Sequence, residues 1–158
     1  LKQSSVSPLL AALSAEREAL LKFVALLERE QGMLVENQTD QLLELSEQKS
    51  GNAIELNRLA EARRALLKQH IPQLAADGIR NWLATNSPEG LALWEEVVSL
   101  AGRAQVLNNA NGEVIQMKLR HNQQSLSVLS NAVNRANLYG PDGQASFSPG
   151  SGRSLGSG

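Results

Sequence analysis

Cysteine is absent from this chain of 158 residues. That excludes disulfides, thiol nucleophiles and thiolate metal sites, and it fits a cytoplasmic setting. Aromatic residues make up only 3%, too few to interleave a base-stacking surface for nucleic acid. Neither sign of charge dominates. The 15 basic and 16 acidic side chains leave a net −1, so no overall field draws the chain to nucleic acid or to an anionic membrane. No apolar run approaches the roughly 20 residues of a membrane span. The opening "LKQSSVSPLL" has no apolar core of a secretory signal. The two histidines, His70 and His121, have no partner at metal-ligand spacing. Acids such as Asp40, Glu44 and Glu47 read as a solvated helix face, with nothing apolar beside them to raise a pKa. No catalytic set, cofactor site or metal site emerges.

What is present is helical. Ser7 and Pro8 form a helix-start signal, cap followed by first position. Leu10, Leu13, Leu20, Val24 and Leu27 then mark a seam interrupted at Arg17, which predicts a helix over about 8–31. Glu16, Glu18, Glu28, Arg29 and Glu30 fall to its wet face. Gly32 and "ENQT" at 36–39 predict a break, with Asn37 or Thr39 capping the next helix. That second helix is expected over about 40–70, with Leu42, Leu45, Leu56, Leu59 and Leu66 as its stripe. Its centre, "SEQKSGN" at 46–52, is polar. The seam resumes in register at Leu59 and Leu66, so the helix is read as continuous, Gly51 costing it about 1 kcal/mol. Pro72 ends it. The connector 71–86 holds a short helix over 77–85 with Ile79, Trp82 and Leu83 inward, Trp82 plugging the end of the bundle.

Ser87 and Pro88 repeat the start signal. Leu93, Leu100, Leu107 and Val114 recur every seven residues, flanked by Trp94, Val97, Ala101, Ala104 and Ile115, and the pattern persists to about Leu138. A helix over 87–138 spans about 75 Å, against about 35 to 45 Å for each of the first two. It must break near "NNANG" at 108–112 or overhang its neighbours, and an overhang leaves apolar surface for a partner. Its second half is rich in amides, including Asn108, Asn109, Asn111, Asn122, Gln123 and Gln124. These serve either as surface and register-fixing groups of the seam or as partners for a bound peptide, beside the anchors Val114, Ile115, Leu119, Leu126 and Leu129. Residues 139–158 are dominated by Gly, Ser and Pro and read as a disordered tail. The fold class is therefore all-α: an elongated antiparallel bundle or coiled coil of three long helices, four if the third breaks near Gly112, as one domain over 1–138.

"NGEVIQMKLRHNQQSLSVL" at 111–129, followed by "LYGPDGQ" at 138–144, resembles the C-terminal region of the FlgN family of flagellar type III export chaperones. "LSEQKS" at 45–50 resembles that family's Glu-Lys-Ser motif in its second helix. The joint order of "NG", "NQQ" and "YGPDG" is more specific than any one of them. The resemblance implies a cytoplasmic helical chaperone, not an enzyme, without cofactor. Its partners would be the hook-associated proteins of the hook–filament junction and the flagellar export gate, with the export ATPase complex as a further contact. Nucleic acid is not implied, and the membrane enters only through the export apparatus. Residue by residue, the resemblance carries the family's C-terminal motif onto Asn111, Gly112, Asn122, Gln123 and Leu126, which with the apolar anchors Ile115, Leu119 and Leu129 are the expected cargo-binding residues, and onto Tyr139, Gly140 and Gly143, the expected gate-docking residues. Tyr139 is the sole tyrosine. Heptads in all three helices keep a structural coiled-coil adaptor or dimerisation module as the alternative, and monomer and dimer both fit the pattern.

Overall fold

A computed structural model of the chain describes residues 2–121. The element order is α1 (Lys2–Val35), a short 3₁₀ turn (Thr39–Gln41), α2 (Leu42–Lys68), α3 (Ala76–Asn86) and α4 (Pro88–His121). The chain is all-α. Three long helices run up, down and up, and α3 is the fourth, closing one end. α1 and α2 are antiparallel, with Glu16 opposite Arg63 and Glu30 opposite Lys49. α4 lies parallel to α1. Arg17 meets Glu96 near one end, and Asn37 meets Lys118 at the other.

The core follows a strict three-four alternation on α1: Leu9, Leu13, Glu16, Leu20, Phe23, Leu27, Glu30 and Leu34 are all buried. This corrects two expectations. Leu10 is half-buried rather than central. Glu16 and Glu30 lie in the seam, not on the wet face, because each faces a buried cation on α2. On α2, Leu42, Leu45, Leu56 and Leu59 are buried as expected, whereas Leu67 takes the place assigned to Leu66. The polar centre of α2 contributes Ser46 and Lys49 to the interior. On α4, Trp94, Val97, Ala104, Leu107, Asn108, Asn111 and Ile115 are buried, while Leu93, Leu100 and Val114 flank them half-buried.

Helix ends differ from the sequence reading in instructive ways. α1 begins at Lys2, so Pro8 lies inside it rather than at its first position. A proline there loses one backbone hydrogen bond and crowds the preceding turn, at a cost of about 3 kcal/mol. Burial of Val6 and Leu9, worth about 1.5 to 3 kcal/mol each, offsets it. Asn37 does not cap α2. It closes α1, in the left-handed region at φ 57°. The Gln38 N–H donates to the Met33 carbonyl at 2.8 Å and the Asn37 N–H to the Leu34 carbonyl at 3.3 Å. That is the Schellman arrangement, in which asparagine substitutes for glycine.

α2 is unbroken at Gly51, as expected, and no atom lies near where a side chain there would begin. α3 covers the predicted 77–85, with Ile79 and Leu83 buried. Trp82 is half-buried and stacks on His70 at 4.6 Å between ring centroids. Ser87 alone joins α3 to α4. Its Oγ accepts the Gly90 N–H at 3.0 Å, the cap foreseen from "SP". Gly90 is needed for close approach. A Cβ there would meet Ser87 Oγ at 3.0 Å and Leu83 Cδ2 at 3.1 Å.

α4 does not break near Gly112 within the described residues. It also does not overhang α1 from Asn108 onward. α1 and the described part of α4 have 34 residues each, about 51 Å at the usual rise. α1 is longer than expected at both ends, and its continuation to Val35 is what lies beside α4 beyond Asn108. Residues 122–158, and with them the expected end of the third helix and the tail, lie outside the described residues.

Candidate functional site

Two of the segments that carry the resemblance, "LSEQKS" on α2 and "NG" on α4, meet inside the bundle. Leu45 and Ser46 of "LSEQKS" point inward on α2, and so does Lys49. Asn111 of "NG" points inward on α4. Both Lys49 and Asn111 reach the Glu30 carboxylate of α1. Lys49 Nζ donates to Oε1 at 3.0 Å and to Oε2 at 3.1 Å. Asn111 Nδ2 donates to Oε1 at 3.0 Å and also to the Leu27 carbonyl at 3.0 Å. All three side chains are shut off from water. A buried carboxylate without partners is costly; one with a cation and a further donor is held.

This layer divides the core. On one side lies the larger cluster, built around Leu9, Leu20, Phe23, Leu56, Leu83 and Trp94. On the other lies a smaller one of Leu26, Met33, Leu34, Leu42, Leu45 and Ile115, with Val114 and Leu119 half-buried against it. A second ion pair, Glu16 with Arg63, sits inside the larger cluster and packs under Trp94, whose ring lies 5.0 Å from the guanidinium carbon.

The candidate cargo residues therefore separate. Asn111 and Ile115 are interior and face the α1–α2 hairpin rather than solvent. Gly112 is half-buried, and Leu119 is half-buried against the smaller cluster. Asn122, Gln123, Leu126 and Leu129, and the candidate gate residues Tyr139, Gly140 and Gly143, lie outside the described residues. The amides divide likewise: Asn108 and Asn111 are seam residues, while Asn109 is exposed.

Sequence reasoning missed the buried acids. The signal that finds them is the three-four alternation from Leu9 to Leu34, which runs through Glu16 and Glu30. At the rim, Lys118 Nζ donates to Asn37 Oδ1, tying α4 to the α1–α2 turn.

Apart from the seam, an open groove of about 600 Å³ runs between α1 and α4, floored by Leu21 and Leu100 and rimmed by Arg17, Glu95 and Glu96. Hydrogen bonds to Glu96 and then Glu18 raise the Arg17 guanidinium above its ordinary value. The rim is an exposed ion-pair surface. Among the described residues no group of three or more His, Cys, Asp or Glu is placed to hold a metal ion. Nor is any described helix long and apolar enough to cross a membrane.

Comparison with known proteins agrees with the motifs. The family described as "FlgN protein" matches residues 5–146. A "Flagella synthesis protein FlgN" of Yersinia enterocolitica is 36% identical over 72 residues, covering 46% of this chain and 48% of that protein. The same protein from Yersinia enterocolitica serotype O:8 / biotype 1B matches at the same identity and coverage. The match spans about half the length of these curated relatives. No solved structure matches the chain.

Proposed function

The chain belongs to the FlgN family, and from that premise we propose that it is a cytoplasmic export chaperone of the flagellum. It binds hook-associated proteins, keeps them from assembling or aggregating early, and delivers them to the flagellar export gate and the export ATPase complex. The family match across most of the chain is the observation that carries this reading. The packing is compatible with it. The described helices offer no converging set of reactive groups, and α4 leads out of the small end cluster toward the segment that holds "NQQ" and "YGPDG".

Cargo contact falls on Gly112, Leu119, Asn122, Gln123, Leu126 and Leu129, with Asn111 and Ile115 in the bundle interior. Gate docking falls on Tyr139, Gly140 and Gly143. Tyrosine suits the second role because one ring with a hydroxyl supplies large contact area at low entropy cost, and the Pro-Asp-Gly after it is a sequence that turns favour. A cargo tail that orders on binding loses entropy at that moment, which keeps affinity moderate and release feasible.

The deciding experiment is capture of purified C-terminal segments of hook-associated proteins by the intact chain. Binding at micromolar concentration is expected, and no capture of any of them at that concentration removes the reading. Sedimentation over a concentration series separates the adaptor alternative, which demands a tight constitutive dimer.

A further inference from the structure

We propose that the bundle carries a built-in break at its polar layer: residues 108–121 of α4 leave the α1–α2 hairpin as a unit while the rest of the bundle stays folded. This rests on packing alone and does not require the chaperone reading. Up to Leu107, α4 is held by Trp94, Val97, Ala104 and Leu107, all buried in the larger cluster. Beyond Leu107, the only fully buried apolar side chain of α4 among the described residues is Ile115. The two seam positions between them are Asn108 and Asn111.

Asn108 is the decisive residue. It is only 2% exposed, yet neither its amide nitrogen nor its amide oxygen has a hydrogen-bond partner among the described residues. A buried amide without partners pays its full desolvation penalty, and water relieves it the moment the segment opens. Asn111 gives up two hydrogen bonds on opening, and water replaces those as well.

The hairpin left behind is not stranded. Glu30 keeps Lys49 on both of its oxygens, so no unpaired charge is created, which is what makes most buried ionic layers resist opening. At the far end the tie between Lys118 and Asn37 is exposed and competes with water. The segment itself, with Asn108, Asn109, Asn111 and Gly112, has low helix propensity once undocked. Local opening of such a weakly buried unit is the general behaviour of low-stability regions. Opening brings Asn111 and Ile115 to solvent, where the closed state hides them.

Hydrogen exchange on the full chain tests this. Amides of 112–121 are expected to exchange at one common rate, at least about 100-fold faster than those of 97–107, while α1 and α2 around Glu30 and Lys49 stay protected. Asn108→Leu, which removes the unpartnered amide, should slow the 112–121 exchange about tenfold or more. Equal protection of the two segments, or no change with Asn108→Leu, overturns the proposal. Should Asn108→Leu fail to fold, thiol labelling decides, because the chain has no cysteine of its own. Ile115→Cys should then react at least about 100-fold faster than Val97→Cys, and equal rates overturn the break.

Discussion

Arg63 holds Glu16 with two parallel hydrogen bonds, Nε to Oε1 at 2.8 Å and Nη2 to Oε2 at 3.1 Å, across a seam closed to water. Two heptads along the same hairpin, Lys49 holds Glu30 through one nitrogen that donates to both carboxylate oxygens. The residue numbers of both pairs add to the same total, as one unbroken antiparallel register requires. A slip of one heptad strands four buried charges, and a slip of two strands all but one pair. The buried ion pairs are therefore both matched in the observed register and not both matched in those slips.

Breaking and replacing the first pair should therefore differ in outcome. Glu16→Leu or Arg63→Leu alone leaves a buried charge without its partner and should cost about 3 to 5 kcal/mol. The double variant should regain most of that, less the contact between Arg63 and Trp94. Urea unfolding of all four proteins measures it. A double variant no better than the singles would remove the ion-pair account.

Within the second layer the partners of Glu30 should rank. Lys49→Leu removes the cation and should cost about 3 to 5 kcal/mol. Asn111→Leu leaves the cation in place and should cost about 1 to 2 kcal/mol. Chemical denaturation of the two variants gives the order, and the reverse order would mean that the amide, not the cation, holds the carboxylate.

Two helical glycines should respond with opposite sign. Gly51 has open space where a Cβ would lie, so Gly51→Ala should stabilise by about 0.5 to 1 kcal/mol. Gly90→Ala drives a methyl into Ser87 and the fully buried Leu83. It should cost about 1 to 3 kcal/mol, as overpacking does. Thermal midpoints of the pair check this, and two shifts of the same sign contradict the close approach of α3 to α4.

The functional proposal separates two substitutions beyond the described residues. Leu126→Asp should weaken capture of hook-associated segments about tenfold or more (about 1.4 kcal/mol) without a fall in thermal midpoint. Tyr139→Ala should leave capture and midpoint unchanged and impair delivery in a swimming or export assay. A large loss of stability from either change would show that residue to be part of the packed core.

Much of the architecture was legible in the residues. Caps written as Ser-Pro, a seven-residue recurrence of leucine and a proline after α2 are local signals, which the backbone obeys where tertiary packing does not outweigh them. The start at Ser87 and the unbroken α2 follow from that. The start at Pro8 failed because tertiary burial of Val6 and Leu9 outweighed a local cost. Asn37 was misassigned for a related reason: its type suits both helix ends, and only the hydrogen bonds to Met33 and Leu34 tell which end it serves.

The candidate site was legible as motifs but not as geometry. "LSEQKS" and "NG" lie far apart along the chain, and nothing local says that Lys49 and Asn111 share one carboxylate. By itself the sequence determined a helical, cysteine-free chain with its family motifs, since composition and periodicity act residue by residue. Only the tertiary structure decided that Glu16 and Glu30 belong inside, because a charge enters a core solely when a partner from another helix meets it there.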